Sequence, residues 1–179
     1  MELSQEYVFK SERLGFRNWI DSDIVKMIAI SGDQRVMEFF PATATPIQTK
    51  TFIQRMQELF EREGFCYFAV DSLEDAKLIG FIGLNEVNYE ADFSPAIDIG
   101  WRLGVDYWNK GYATEGAKRC LEFAFETLKL KEVIATAPAI NLKSIAVMKK
   151  IGMQLKTPFK HPRLIGNSRL ENCVCYAIR

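Results

Sequence analysis

The stretch from Ile97 to Leu128 reads IDIGWRLGVDYWNKGYATEGAKRCLEFAFETL, and a change of period inside it decides the fold. At its start Ile97, Ile99, Trp101 and Leu103 alternate with Asp98, Gly100 and Arg102, the two-residue repeat of a strand with one buried face. From Ala113 onward Ala117, Cys120, Leu121, Ala124, Phe125 and Leu128 recur at spacings of three and four, which predicts a helix with a core-facing stripe that begins near Gly111. The apolar segment Lys131 to Ala137 then predicts another strand, closed by Pro138. Strand, helix, strand predicts a parallel pair, because the helix is the crossover that a parallel ladder requires.

Between the first strand and the helix lies Asn109-Lys110-Gly111-Tyr112-Ala113-Thr114. Gly111 lets the backbone turn sharply or approach a ligand closely, and Ala113 adds little bulk. The first-turn amides of the helix have no partner within it and carry the positive end of its dipole. With the charge of Lys110 beside them they form an anion site suited to phosphate. The same residues also suit a turn that does no more than lead the chain into a packed helix.

The rest of the chain bounds the setting. Its 179 residues, 48% hydrophobic and 26% charged, suit one globular domain over 1–179. Lys plus Arg and Asp plus Glu both number 23, so no global field favours nucleic acid or membrane as a partner. No apolar run approaches the roughly 20 residues that span a bilayer, and MELSQEYVFKSER lacks the regions of a signal peptide, so a cytoplasmic location is expected. Cys66, Cys120, Cys173 and Cys175 contain no C-x-x-C pair and have one histidine to assist them, which argues against a metal site. Cys173 and Cys175 suit small apolar residues on one face of a strand.

In chain order, Glu12 to Arg17 reads as a first strand. A helix capped by Asp21 or Ser22 runs to about Ser31, and a short second helix is expected around Arg35 to Phe40. Pro41 to Pro46 is a loop, followed by a helix from Thr49 to about Arg62. Phe65 to Asp71 and Leu78 to Val87 form a hairpin. Asn141 caps a helix that ends at Gly152, Phe159 to Ser168 reads as a polar connection, and Glu171 to Ile178 as the last strand.

Trp108 to Glu115, WNKGYATE, resembles the pyrophosphate loop of the GNAT acetyltransferase superfamily, in the form typical of the Rim-type branch, the ribosomal-protein N-terminal acetyltransferases. Gly111 and Ala113 match the small positions of the pattern Gln/Arg-x-x-Gly-x-Gly/Ala, while Trp108 replaces Gln or Arg and Asn109 a frequent glycine. Asn141-Leu142-Lys143-Ser144 through Gly152-Met153 resembles the second motif, 30 residues after Gly111. The start SERLGFR and the end FKHPRLIGNSRLENCVCYAIR are also similar to Rim-type chains. The resemblance implies an α/β fold, α+β by some schemes. Its single mixed, mostly antiparallel twisted sheet has six to seven strands, with helices on both faces and one parallel pair around the central helix.

It also implies an acetyl-CoA-dependent N-acetyltransferase in which a primary amine, of a protein N-terminus or a small molecule, attacks the thioester directly in a ternary complex. Acetyl-CoA would be held by Leu103, Gly104, Val105, Asn109, Lys110, Gly111, Tyr112, Ala113, Thr114 and Asn141, with no metal. Backbone amides near Leu103 would serve the oxyanion. Asn141 would bond the coenzyme arm, cap its helix, or both. Many relatives place the acid, a tyrosine, where Met148 stands, and methionine cannot donate a proton. Ser144 is therefore the candidate acid, with backbone capping as its other reading. Asp98, off the apolar face of its strand, is the candidate base, with Glu86, His161 or water in reserve.

Phe39, Phe40 and Pro41 read either as core or as a wall of the acceptor cleft. A non-catalytic acyl-CoA-binding or regulatory module is the alternative, supported by Met148. The chain can be monomer or homodimer, and the last strand is a candidate pairing edge.

Overall fold

The computed structural model describes residues 6–179, so that residues 1–5 of the N-terminal segment quoted above lie outside them. The strands are β1 (Phe9–Lys10), β2 (Leu14–Arg17), β3 (Tyr67–Ser72), β4 (Lys77–Glu86), β5 (Ile97–Leu103), β6 (Val133–Pro138), β7 (Gln154–Lys160) and β8 (Asn172–Ile178). They form one sheet of eight strands in the order β1-β2-β3-β4-β5-β6-β8-β7. Four helices join them: α1 (Asp23–Ser31), α2 (Pro46–Glu63), α3 (Tyr112–Glu122) and α4 (Leu142–Lys150). Every pairing is antiparallel except that of β5 with β6, and this parallel pair meets at one register, Asp98 opposite Ile134. This is the mixed α/β fold that the sequence resemblance implies.

Helices cover both faces. A Cβ on Gly116 of α3 would lie 2.3 Å from Ile82 Cδ1 of β4, so a residue with no side chain lets α3 sit close on the sheet. On the neighbouring, oppositely directed residue Phe81, the ring of Phe52 from α2 lies at 5.2 Å. The rings of Phe9, Phe16, Phe68 and Phe123 interlock at 4.5 to 6.5 Å, each ring burying enough apolar surface to contribute about 1.5–3 kcal/mol. Cys66, Cys120, Cys173 and Cys175 are free thiols packed as small core residues.

Several expectations need correction. No helix forms around Arg35 to Phe40, which is a run of turns. Asp33 accepts from the Arg35 amide at 2.9 Å and pairs with its guanidinium, a local side-chain bond that competes with helix formation. The helix expected from Thr49 begins at Pro46, because Thr45 and Gln48 form a reciprocal capping box. Ser22 stands at the start of α1 without a capping bond; the Asp23 carboxylate takes the Ile20 amide instead, at 2.9 Å.

The sheet exceeds the six to seven strands expected. β7 is a strand not expected, since 154–158 carry no expected element and Phe159 and Lys160 fall in the segment read as a connection; it is an outer strand, mostly exposed, with no buried face to betray it. The last strand, β8, sits between β6 and β7 and offers no free edge.

A buried ion network locks the first strands to the first helix. Arg17 donates from Nε and Nη2 to Asp71 at 2.7 and 2.8 Å, and from Nη1 and Nη2 to Asp23 at 2.7 and 2.9 Å. Both carboxylates and the guanidinium are within 5% of full burial. Removing one partner leaves buried charge behind. Arg17→Met is expected to destabilise the fold by about 3–5 kcal/mol, and Arg17→Lys to restore little of it, because an ammonium cannot serve two carboxylates through one fork. Urea unfolding of the two variants measures both effects.

Candidate active site

The site is built on the divergence of β5 from β6. Both strands continue past their single bridge, β5 to Leu103 and β6 to Pro138, and the residues beyond it line one cleft of about 820 Å³. The ladder decides which backbone groups face that gap. The Gly104 amide donates to the Ile79 carbonyl at 3.0 Å, and in an antiparallel ladder successive residues point their backbone groups to opposite sides. Trp101 and Leu103 therefore aim theirs away from β4, into the gap, while the Gly104 amide is consumed inside the sheet.

Beyond β5 a single 3₁₀ turn (Val105–Tyr107) leads to the loop before α3. Trp108 folds back so that its Nε1 donates to the Leu103 carbonyl at 2.9 Å. That bond accounts for tryptophan where Gln or Arg is commoner, since it ties the loop to the strand end. Asn109 and Gly111 have φ of 58° and 79°, the left-handed region that glycine adopts freely and asparagine tolerates. No side chain caps α3, so its first-turn amides remain available at the wall formed by Gly111, Tyr112, Ala113 and Thr114.

Arg13, on the chain between β1 and β2, braces this loop from behind. Its Nη1 donates to the Lys110 carbonyl at 2.9 Å, its Nε to Glu115 at 2.6 Å, and its guanidinium lies 4.4 Å from the Tyr112 ring centre. Glu115 also accepts from the Ser11 hydroxyl and the Arg13 amide, at 2.6 and 2.8 Å. These bonds hold its carboxyl below the usual range against the opposing effect of burial.

Across the gap, α4 presents Asn141 and Ser144. Asn141 accepts from the Ser144 amide at 3.2 Å, so it caps the helix through its oxygen. Ser144 is half-buried and lines the cleft, as does Met148, which is 1% exposed.

On the α1 and α2 side of β5, Asp98 receives a 2.6 Å hydrogen bond from the Tyr67 hydroxyl. Burial pushes the Asp98 carboxyl up to about 7, and the tyrosine bond partly opposes this. The Tyr67 ring stacks on Phe81 at 4.9 Å and lies over Gly100, where a Cβ would meet it at 2.9 Å. Arg102, next on this face, lies between Phe40 and Phe81 at 4.7 and 5.2 Å.

The structure thus brings Asp98, Leu103, Asn109, Gly111, Tyr112, Ala113, Thr114, Asn141 and Ser144 to one cleft. Gly104, Val105 and Lys110 do not line it. The Gly104 amide is spent on β4, Val105 enters the 3₁₀ turn, and exposed Lys110 extends its ammonium toward the Tyr107 ring, 5.9 Å away. Phe39, Phe40 and Pro41 all line the cleft, and Phe40 is 45% exposed rather than core. Glu86 lies outside, in an exposed ion pair with Arg62.

His161 does line the cleft, against Tyr89, but its Nδ1 accepts the Arg163 amide. That bond leaves the proton on Nε2, a donor; burial and Arg163 push the imidazole below its ordinary pKa. Tyr67, Trp101, Arg102 and Arg13 are the residues that sequence reasoning missed. Among the described residues no group of three or more His, Cys, Asp or Glu is placed to hold a metal ion, and no helix is long and apolar enough to cross a membrane.

Comparison with known proteins agrees with this geometry. Over 151 residues, 84% of either chain, the protein is 32% identical to the uncharacterized N-acetyltransferase YnaD of Bacillus subtilis strain 168. The crystal structure of a GNAT-family acetyltransferase from Bacillus anthracis superposes with a TM-score of 0.78 at 30% identity, covering 94% of this chain and 96% of that one. Spermidine N-acetyltransferase from Vibrio cholerae, in complex with CoA and spermine, shares the fold at 17% identity, with a TM-score of 0.73 and coverage of 93% and 95%. Residues 13–154 match the acetyltransferase (GNAT) domain model, so the chain belongs to the GNAT acetyltransferase family and transfers an acetyl group to an amine.

Proposed function

We propose that the cleft takes acetyl-CoA as cosubstrate on the α3 and α4 side of the sheet and a primary amine on the α1 and α2 side, and that the acetyl group passes directly between them in a ternary complex. The reading rests on one observation: the unpaired inner edge of β5 leads, through a 3₁₀ turn and a short loop, to the uncapped N-terminus of α3. Amides at that terminus suit a diphosphate, and the strand edge suits an amide-bearing arm.

In this reading the first-turn amides of Gly111, Tyr112, Ala113 and Thr114 take the diphosphate oxygens. Leu103 and Asn141 line the arm. Asp98 accepts a proton from the acceptor ammonium, and its raised pKa leaves a useful share of carboxylate at neutral pH while keeping it basic. The Trp101 and Leu103 amides donate to the carbonyl oxygen as it gains charge. Ser144 gives its proton to the sulfur that departs, and solvent at the cleft mouth returns it. The acceptor belongs to the Rim-type range, a protein N-terminus or a small-molecule amine, as the SERLGFR start and the C-terminal segment suggest. Four free thiols suit the reducing cytosol, where we place the chain as one domain, monomeric or homodimeric.

Calorimetry with acetyl-CoA, followed by thiol release in the presence of peptides and amines, tests the whole reading; absence of coenzyme binding removes it. If Asp98 is the base, log(kcat/KM) rises with pH to a break near 7. Asp98→Asn should lower it by roughly a hundredfold or more and abolish the break. Tyr67→Phe should shift the break upward, because the bond it removes favours the carboxylate. Ser144→Ala should lower kcat with little change in the Kd of acetyl-CoA, and equal turnover would leave Ser144 a helix-terminal residue only. Arg13→Ala should weaken acetyl-CoA binding by about tenfold, the loss of charge-assisted bonds that order the loop, with both Kd values read by calorimetry.

A further inference from the structure

Resting on the acetyltransferase reading above, we propose that the acceptor carries a carboxylate as well as its amine, and that Arg102 is the specificity-determining residue that receives this carboxylate while the amine lies at Asp98. Arg102 lines the acceptor end of the cleft, yet among the described residues it has no acidic partner. Nη1 donates to the Ser31 hydroxyl at 3.2 Å, while among the same residues buried Nε has no hydrogen-bond partner and Nη2 makes no bond. Rings of Phe40 and Phe81 lie against the guanidinium and hold it in place. Arg102 is half-buried with its Nε enclosed, and a cation so placed without a counter-ion is costly unless a ligand supplies one.

The contrast with Arg17 sharpens the point. Arg17, the more deeply buried of the two, meets two carboxylates through well-formed bonds. Among the described residues Arg102 meets none, and desolvation depresses its pKa to about 10, which still leaves it fully charged at neutral pH. Arg35, which also lines the cleft, already has Asp33 as its partner, and Glu38 has Arg169, whereas a carboxylate on the acceptor would give Arg102 the anion it lacks among the described residues.

Geometry gives the acceptor two ends. Asp98 and Arg102 point to the same face of β5, four residues apart, so that about 13 Å of strand separates their Cα atoms. Gly100 between them contributes no side chain, and the Tyr67 and Phe81 rings form an apolar floor. An amine at one end and a carboxylate at the other, joined by a short spacer, matches this layout. The carboxylate can be the terminal one of an amino acid or dipeptide, or the acidic side chain near the start of a longer peptide; the shared chemistry is the same.

The test uses the full chain with acetyl-CoA, following thiol release with matched acceptors that differ only in carboxylate against carboxamide. Amino acids and dipeptides form one arm, each with a free or amidated C-terminus. Amidated tetrapeptides with Asp or Asn at the second residue form the other, and spermidine is the carboxylate-free reference. In at least one arm the carboxylate member should exceed its amide in kcat/KM by about a hundredfold, as expected when a charged donor loses its partner. Arg102→Met should collapse that ratio toward one, Arg102→Lys should restore part of it, and the Kd of acetyl-CoA should stay within about twofold in both.

Equal rates with both members of every pair, preference for spermidine, or turnover of no carboxylate member would overturn the proposal. A fall of both pair members by the same factor in Arg102→Met would also overturn it, reducing Arg102 to a packing role. Failure of the unaltered chain to bind acetyl-CoA would strike the coenzyme assignment itself, a result separate from any of these.

Discussion

The site depends on two parallel strands that meet once and then part. β5 is held by β4 along its whole length and β6 by β8 along its own, so each strand follows a different partner, and Asp98 opposite Ile134 is their sole point of register. Unpaired strand edges inside a protein leave costly polar groups. Here part of that demand is met by Trp108, whose indole takes the Leu103 carbonyl. The Trp101 groups and the Leu103 amide stay directed into the gap, and a substrate with amide groups of its own is the natural partner for them. The opening is therefore a consequence of sheet topology rather than of loop conformation, and it will persist as long as β4 and β8 hold their neighbours.

The same strand divides the chemistry between two faces. Alternation sends Ile99 and Leu103 into the core beneath α3 and Asp98, Gly100 and Arg102 toward α1 and α2. A carboxylate and a guanidinium on one strand face would ordinarily attract each other and spend their charge. Their separation by four residues, with Gly100 between, and the rings of Tyr67, Phe81 and Phe40 around them, keeps them apart in a poorly hydrated setting. Each then acts on its surroundings at low dielectric, where charge is felt strongly. Asp98 responds by holding its proton to about pH 7.

What the sequence made legible follows from what leaves a local trace. β5 and α3 were readable because their periods are long and clean, and the turn between them because Gly111 and the uncapped amides are properties of neighbouring residues. Tyr67 left no such trace. It sits in an apolar strand, and its role comes from Gly83 and Gly100 across the sheet, which leave room for its ring to reach Asp98. Gly104 read as a coenzyme contact because its amide's commitment to Ile79 depends on the register of β4, which no local pattern fixes. β7 went unread because an outer, exposed strand has no hidden face, and the turns at 34–39 looked helical because the competing bonds of Asp33 are made by one side chain.

The frame that carries this site is fastened at places remote from the chemistry. Arg17 joins β2 to α1 and β3 through Asp23 and Asp71, while four residues earlier Arg13 joins the same hairpin to Glu115 and the Lys110 carbonyl. The short N-terminal hairpin thus grips α1 and β3 through one arginine and the loop before α3 through another. α3 cannot slide along the sheet, since Gly116 lies too close to Ile82, and the loop before it cannot relax while Arg13 holds its carbonyl. Any shift of the hairpin would move both walls of the cleft together, so the spacing of those walls, on which the alignment of reacting groups depends, is set by three buried or half-buried ion pairs, those of Arg17 with Asp23 and Asp71 and of Arg13 with Glu115.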